Sequence, residues 1–186
     1  MSLDRRDALA GMAAMFGSAL FAPIARAAAA QMTPISEGAP TVAVFSPAQR
    51  ALVSALSERV MPTTDTPGAI AAGVPEFIEK LLADWAAPDD RKPILAGLDA
   101  LAAHSQTEYQ IAADKASPEQ QDALLTLAME DKVPGGRVFF EAFRQLVLTG
   151  YFTSEVGITQ EREYLPVPGM YDGAYPYTPG TKVYSS

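Results

Sequence analysis

The 186-residue chain contains no cysteine. That absence removes disulfides, thiol nucleophiles, thiolate-ligated iron–sulfur clusters, attached c-type haem and cysteine-based zinc sites. Histidine is nearly missing too, with His104 the only one. A cage of imidazoles or a His–His acid/base pair is therefore excluded. Positive charge is scarce: 14 Lys+Arg stand against 22 Asp+Glu, for a formal −8. Such a chain has the wrong sign for neutralising phosphates, so no nucleic acid partner is expected. Motif-borne chemistry is missing as well. The sequence holds no Gly-x-Gly-x-x-Gly fingerprint, P-loop, Gly-x-Ser-x-Gly elbow or His-Glu-x-x-His helix. These absences argue against a self-sufficient redox enzyme. No residue is singled out as catalytic, cofactor-binding or metal-binding.

What is present is apolar residue: 48% of the chain, with a mean hydropathy of +0.05. That suffices for the core of one ordinary domain and is too much for wholesale disorder.

Residues 1–27 read as an export signal. Arg5 and Arg6 form a positive n-region, and Ala8 to Ala22 run uncharged. Pro23 breaks the run, and Ala25-Arg26-Ala27 supplies a small-x-small cleavage pattern. The run is too short to span a hydrocarbon core of ~30 Å, which needs about 20 apolar residues. The adjacent arginines point to the twin-arginine (Tat) route, with Leu9 in the place that pattern wants. Asp4, Asp7, Ala8 and Ala10 are not its preferred flanks, and a general secretory signal has the same layout. Cleavage after Ala27 leaves 11 basic and 20 acidic residues, a formal −9. No other segment is apolar enough for an anchor. A periplasmic protein is expected, held at a membrane only through a partner.

Residues 28–45 mix Ala, Pro, Ser, Gly and Thr without a helical period and read as a linker or extended arm. Residues 46–163 read as a helical domain. Ser46-Pro47 opens a helix with Leu52, Val53, Leu56 and Val60 as its stripe, and Pro62 ends it. Met61 to Gly68 is a turn-rich loop whose Thr and Asp oxygens can bond local N–H groups. Val74-Pro75 starts a second helix, with Pro88 as its end; a third is expected over Asp90–Tyr109, with Pro93 in its first turn. Ser117-Pro118-Glu119-Gln120 is a capping box for a fourth. Pro134-Gly135-Gly136 breaks the chain, and Arg137–Thr149 is the fifth, with Gly150 as its stop. With strand signals nearly absent, the expected fold is all-α: an irregular bundle of about five helices.

Residues 164–186 read as an extended C-terminal tail. They hold five of the seven tyrosines, interleaved with prolines and glycines. Tyrosine is an interface residue, with a large apolar body and a polar tip. Each buried ring removes on the order of 150 Å² from water, roughly 4 kcal/mol gross before ordering costs. The tail can lie along a partner or fold back on its own helices.

Residues with chemical potential are few. His104 reads as a surface helix residue. Asp89-Asp90, Glu130-Asp131 and Glu161-Arg162-Glu163 are carboxylate clusters that capping and solvation explain better than acid/base work, which needs two differently placed carboxylates on one substrate.

Three stretches are specific in combination. They are Leu56 to Ala69 with Ala72 to Ile78 (Thr-Asp-Thr-Pro-Gly-Ala, then Ala-Gly-Val-Pro), Phe140 to Gly157 (with Gly-Tyr-Phe-Thr-Ser-Glu-Val-Gly), and Tyr164 to Gly173. Behind an export signal, they resemble the gluconate 2-dehydrogenase subunit 3 family, from the signal to about Tyr175. The resemblance implies a non-catalytic small (gamma) subunit of a periplasmic FAD-dependent sugar or polyol dehydrogenase. In such complexes a glucose–methanol–choline (GMC)-type flavoprotein holds FAD and oxidises the sugar. A c-type cytochrome, as subunit or separate acceptor, takes the electrons on its haem. The small subunit carries the signal and escorts its folded partner through the Tat translocase.

Under that reading, export rests on Arg5, Arg6 and Ala27. Partner contacts are expected from Asp65 and Pro67 in the Thr63–Val74 loop, from Tyr151, Phe152 and Glu155 in the Gly150–Gly157 turn, and from Tyr164, Tyr171, Tyr175 and Tyr177 in the tail. The loop and the turn show no core role in the sequence and are placed outward. Two other readings stand beside it. One is an independent exported binding protein or small hydrolase. The other has Glu155 or Tyr151 shaping substrate access in a partner's active site.

Overall fold

The computed structural model describes residues 38–165, 167, 169, 174, 176, 178 and 180–185. Residues from Ala39 on form one unit and Met1–Gly38 another; of the latter only Gly38 is described. The fold is all-α, as expected, with five α-helices among the described residues.

Helix α1, Pro47–Val60, begins where the sequence places it. Ser46 Oγ accepts from the Gln49 N–H at 3.2 Å, and Gln49 Oε1 accepts from the Ser46 N–H at 3.0 Å. Helix α2, Val74–Asp84, follows Gly73, whose φ of 72° is a left-handed conformation that favours glycine. Helix α3, Pro88–Glu108, starts two residues earlier than expected. Pro88 therefore opens α3 instead of closing α2, since a residue lacking N–H loses nothing in a first turn. Pro93 consequently lies in the second turn, where it removes one helical hydrogen bond. A short 3₁₀ turn, Ala113–Lys115, leads to helix α4, Pro118–Met129, whose Ser117–Gln120 capping box forms as the sequence implies.

Helix α5, Gly136–Thr153, is the centre of the molecule and packs on α2, α3 and α4. Phe139, Phe143, Val147 and Tyr151 recur every four residues and are all buried. The rings of Phe139 and Phe143 stack at 5.3 Å. Phe139 lies directly on Gly97 of α3, where any Cβ would overlap its ring. Gly150 is not a stop. The helix continues through it because its missing side chain makes room for α2: a Cβ there would sit 2.7 Å from Phe77 and 3.3 Å from Val74. What the sequence read as an end is a helix–helix contact.

Past α5 the chain makes one π-helical turn, Gly157–Glu161, then a two-residue strand β1, Glu163–Tyr164. Strand β2, Tyr184–Ser185, returns to pair with it in parallel, Glu163 opposite Tyr184 and Tyr164 opposite Ser185. The tail, expected to hold no regular element, thus contributes this small one at its far end. From Ala39 on, the arm forms no strand. It lies along α2, where Asp84 accepts from the Thr41 N–H at 2.9 Å and its hydroxyl at 2.6 Å. Lys80 joins the same carboxylate at 2.9 Å. Phe45 is buried in the core. Among the described residues no helix is long and apolar enough to cross a membrane.

Candidate functional site

The Thr63–Val74 loop is organised from α1 by Glu58. Pro62 ends the helix, and the loop beyond it turns two backbone donors, at Thr63 and Ile70, back toward α1. Glu58 Oε1 accepts from the Thr63 N–H at 2.9 Å and the Thr63 hydroxyl at 2.7 Å. Its Oε2 accepts from the Ile70 N–H at 3.0 Å. Thr63 Oγ1 in turn accepts from the Gly68 N–H at 3.0 Å, which is the local Thr-to-backbone bonding the sequence suggests. Gly68 is wedged against the same carboxylate, and a side chain there would overlap it. Burial pushes the Glu58 carboxyl up. The Ile70 N–H, both Thr63 donors and nearby Arg59 outweigh it and hold the group below its ordinary value.

The other side of the loop is clamped by the end of α5 and the π turn. The Tyr151 hydroxyl donates to the Pro67 carbonyl at 2.9 Å and lies 3.5 Å from Thr66 Oγ1. Thr66 Oγ1 donates to Glu161 at 2.8 Å. Ser154 donates to the Tyr151 carbonyl at 2.6 Å and accepts from the Gly157 N–H, which turns the chain sharply. Gly157 crosses so close to the Tyr151 carbonyl that a Cβ would overlap it. The Thr-Asp-Thr-Pro-Gly-Ala and Gly-Tyr-Phe-Thr-Ser-Glu-Val-Gly blocks, over 80 residues apart, are therefore the two halves of one clamp.

Between the clamp and the returning C-terminal residues lies a cleft of about 420 Å³. Asp65, Thr66, Phe152, Glu161, Arg162 and Lys182 line it, among others. The Arg162 guanidinium sits 4.9 Å over the Phe152 ring. The Thr64 hydroxyl bonds Asp65 at 3.0 Å and, with Asp65's own N–H and nearby Lys182, holds its carboxyl below the ordinary value. The cleft thus carries charges of both signs and an aromatic face.

The expected contact residues divide by exposure. Asp65, Glu155 and Tyr164 are exposed, and Pro67 and Phe152 are half-buried. Tyr151 differs from its outward placement, being 1% exposed inside its own fold. The sequence misses this because taking Gly150 as a stop cuts the four-residue ladder one step short of it. Ala69 and Val74 of the loop are likewise core. Tyr171, Tyr175, Tyr177, Arg5, Arg6 and Ala27 lie outside the described residues. Glu58, Thr66 and Glu161 were not among the expected contacts. The legible signal for Glu58 is a carboxylate one turn before a helix-ending proline and a Thr-rich loop.

The other acidic clusters have structural partners. Asp89 pairs with Lys92 at 2.7 Å and Glu130 with Lys132 at 2.6 Å. Asp131 accepts from the Arg137 N–H at 3.1 Å, in the first turn of α5. His104 stands edge-on to Tyr109. Among the described residues no group of three or more His, Asp or Glu could hold a metal ion.

A family model described as gluconate 2-dehydrogenase subunit 3 matches residues 47–169. A search of curated proteins and a search of solved structures find no match. The matched span takes in all five helices, both halves of the clamp and β1, and it ends before β2. With its entire helical core inside that match, the chain belongs to the gluconate 2-dehydrogenase subunit 3 family.

Proposed function

We propose that this chain is the non-catalytic small subunit of an exported FAD-dependent sugar or polyol dehydrogenase complex. Its task is to bind and stabilise a GMC-type flavoprotein and to carry it, folded, through the Tat route to the periplasm. FAD belongs to that partner, and a c-type cytochrome, as subunit or separate acceptor, takes the electrons. The observation that carries the reading is the family match across residues 47–169. The clamp supports it: its carboxylates and hydroxyls are spent on holding the loop in place, and Phe152 and Arg162 are left lining the cleft, residue types enriched at protein interfaces. Substrate contact and hydride removal fall to the partner. The small subunit contributes a preformed face and an export address.

The experiment is co-purification. The tagged chain, expressed with its leader in its native host, should bring down a yellow flavoprotein from the periplasmic fraction, and sugar-dependent dye reduction should travel with the pair. Deleting the leader should leave both chains in the cytoplasm. A chain recovered alone, fully soluble and active on a carbohydrate or an ester by itself, would overturn the proposal.

A further inference from the structure

This acidic chain keeps its few cations occupied. Among the described residues, Arg50, Arg59, Lys80, Lys92, Lys115 and Lys132 each pair with a carboxylate. Arg91 and Lys182 donate to backbone carbonyls, and Arg162 lies over Phe152. Two guanidinium groups stand apart. Arg137 and Arg144, both exposed on α5, have no side-chain partner among the described residues. Glu141 lies one turn from each and forms no ion pair with either. Asp131 bonds the Arg137 N–H and not its guanidinium.

The helix itself does not account for this placement. Arg137 is the second residue of α5, where a cation opposes the helix dipole and a carboxylate would be favoured. A local choice that works against its own helix points to a purpose outside it. The two arginines are seven residues apart, so they share one face with about 10 Å of helix between them. Phe140 and Arg144 of this face line a groove of about 340 Å³ where α5 meets α1 and α4. Val60, Leu125 and Met129 complete its apolar lining, and Met129 is 46% exposed, an adaptable side chain for an incoming surface. Arg59 and Asp122 at the groove neutralise one another through two bonds, at 2.7 and 2.6 Å. The uncompensated charge there is therefore positive, on a chain that carries a formal −8 overall. That excess negative charge opposes an anionic lipid surface. An apolar slot between helices, with unmatched guanidinium groups along it, fits a helix that brings apolar side chains and carboxylates together.

Resting on the function proposed above, we infer that the groove between α1, α4 and α5 docks an amphipathic helix of the flavoprotein, whose carboxylates meet Arg137 and Arg144. This site is separate from the cleft at the clamp, with which it shares no lining residue.

The test compares full-chain variants for their affinity toward the flavoprotein that the parent retains from its native host. Arg137→Gln/Arg144→Gln neutralises the pair, and Arg137→Glu/Arg144→Glu reverses it. Lys92→Glu/Lys115→Glu makes the same change in net charge as that reversal at exposed sites elsewhere. Neutralisation should weaken binding about tenfold and flatten its decline with added salt, reversal should weaken it further, and the lysine control should stay within about twofold. Arg137→Gln alone should hold or raise the unfolding midpoint while lowering affinity, which a residue serving only its own fold would not do. A benzophenone side chain at Thr126, on the groove wall, should cross-link to a flavoprotein helix that carries carboxylates beside apolar residues. Arginine variants that bind the flavoprotein within twofold of the parent, or a cross-link to a second copy of this chain, would overturn the groove's role while leaving the subunit reading intact. Arginine-dependent binding to phosphatidylglycerol vesicles, with flavoprotein affinity unchanged in the variants, would assign the face to a membrane and overturn it likewise. A full chain that retains no flavoprotein at all would sink both readings.

Discussion

At the residue scale, Glu58 ties the Thr63–Val74 loop to α1. Three donors from two distant points of one loop converge on its two oxygens. Glu58→Gln keeps the shape but turns an amide N–H₂ toward backbone donors, leaving at least one of them unmet. A cost of about 1–3 kcal/mol is expected, read from urea unfolding of variant and parent. The charge also sets an acid dependence. Because the folded group titrates below its ordinary value, its stabilisation is present above a pH of about 4.5 and fades as pH falls through the lowered folded value. Acid titration of the unfolding midpoint should show this loss in the parent and a smaller one in Glu58→Gln. Tyr151 separates two contributions on the clamp's other half. Tyr151→Phe removes only the hydroxyl, with its bond to the Pro67 carbonyl and its contact with Thr66, for about 1 kcal/mol, whereas Tyr151→Ala empties a buried site, for roughly 3–5 kcal/mol. Equal losses in the two variants, measured by thermal melts, would show that the ring itself contributes nothing.

At the scale of elements, helices meet through absences as much as through side chains. At Gly97 and Gly150, α3 and α2 pack against α5 with no room for a side chain. Gly97→Ala forces a methyl into the Phe139 ring, and a destabilisation of about 1–3 kcal/mol is expected despite the better helix propensity of alanine. A more stable Gly97→Ala protein in calorimetry would refute the packing. The arm provides a second test. Thr41 gives two donors to Asp84, and Lys80 gives a third; together they hold that carboxyl well below its ordinary value, with Lys80 the largest influence. Thr41→Val removes the hydroxyl donor, and limited proteolysis should then cut near residues 38–44 earlier while the helical core resists as before. Much of this level is legible in sequence. Both Ser–x–x–Gln boxes, Pro47, Pro75 and Pro118 mark real helix starts because capping is a local matter of a few atoms. Pro88 and Gly150 are misread for the opposite reason. Each is chosen by a neighbour distant in sequence or by the next element, and local patterning has no view of that. The clamp is invisible in the same way, since its two blocks meet only once α5 has packed.

At the scale of the whole molecule, a small acidic helical domain presents a face tied down from within and exposed aromatic residues at its C-terminal end. The family assignment makes this chain one component of a dehydrogenase complex. The proposed division of labour gives recognition and delivery to this chain and electron transfer to its neighbours. That division is tested most directly by isolating the tagged chain from periplasm under native conditions and recording the visible spectrum of what accompanies it. The account predicts a second polypeptide with a flavin spectrum, bleached on addition of a sugar, and lost together with its periplasmic location when the small subunit's leader is deleted. A colourless, solitary chain, with the flavoprotein exported and active in its absence, would contradict it.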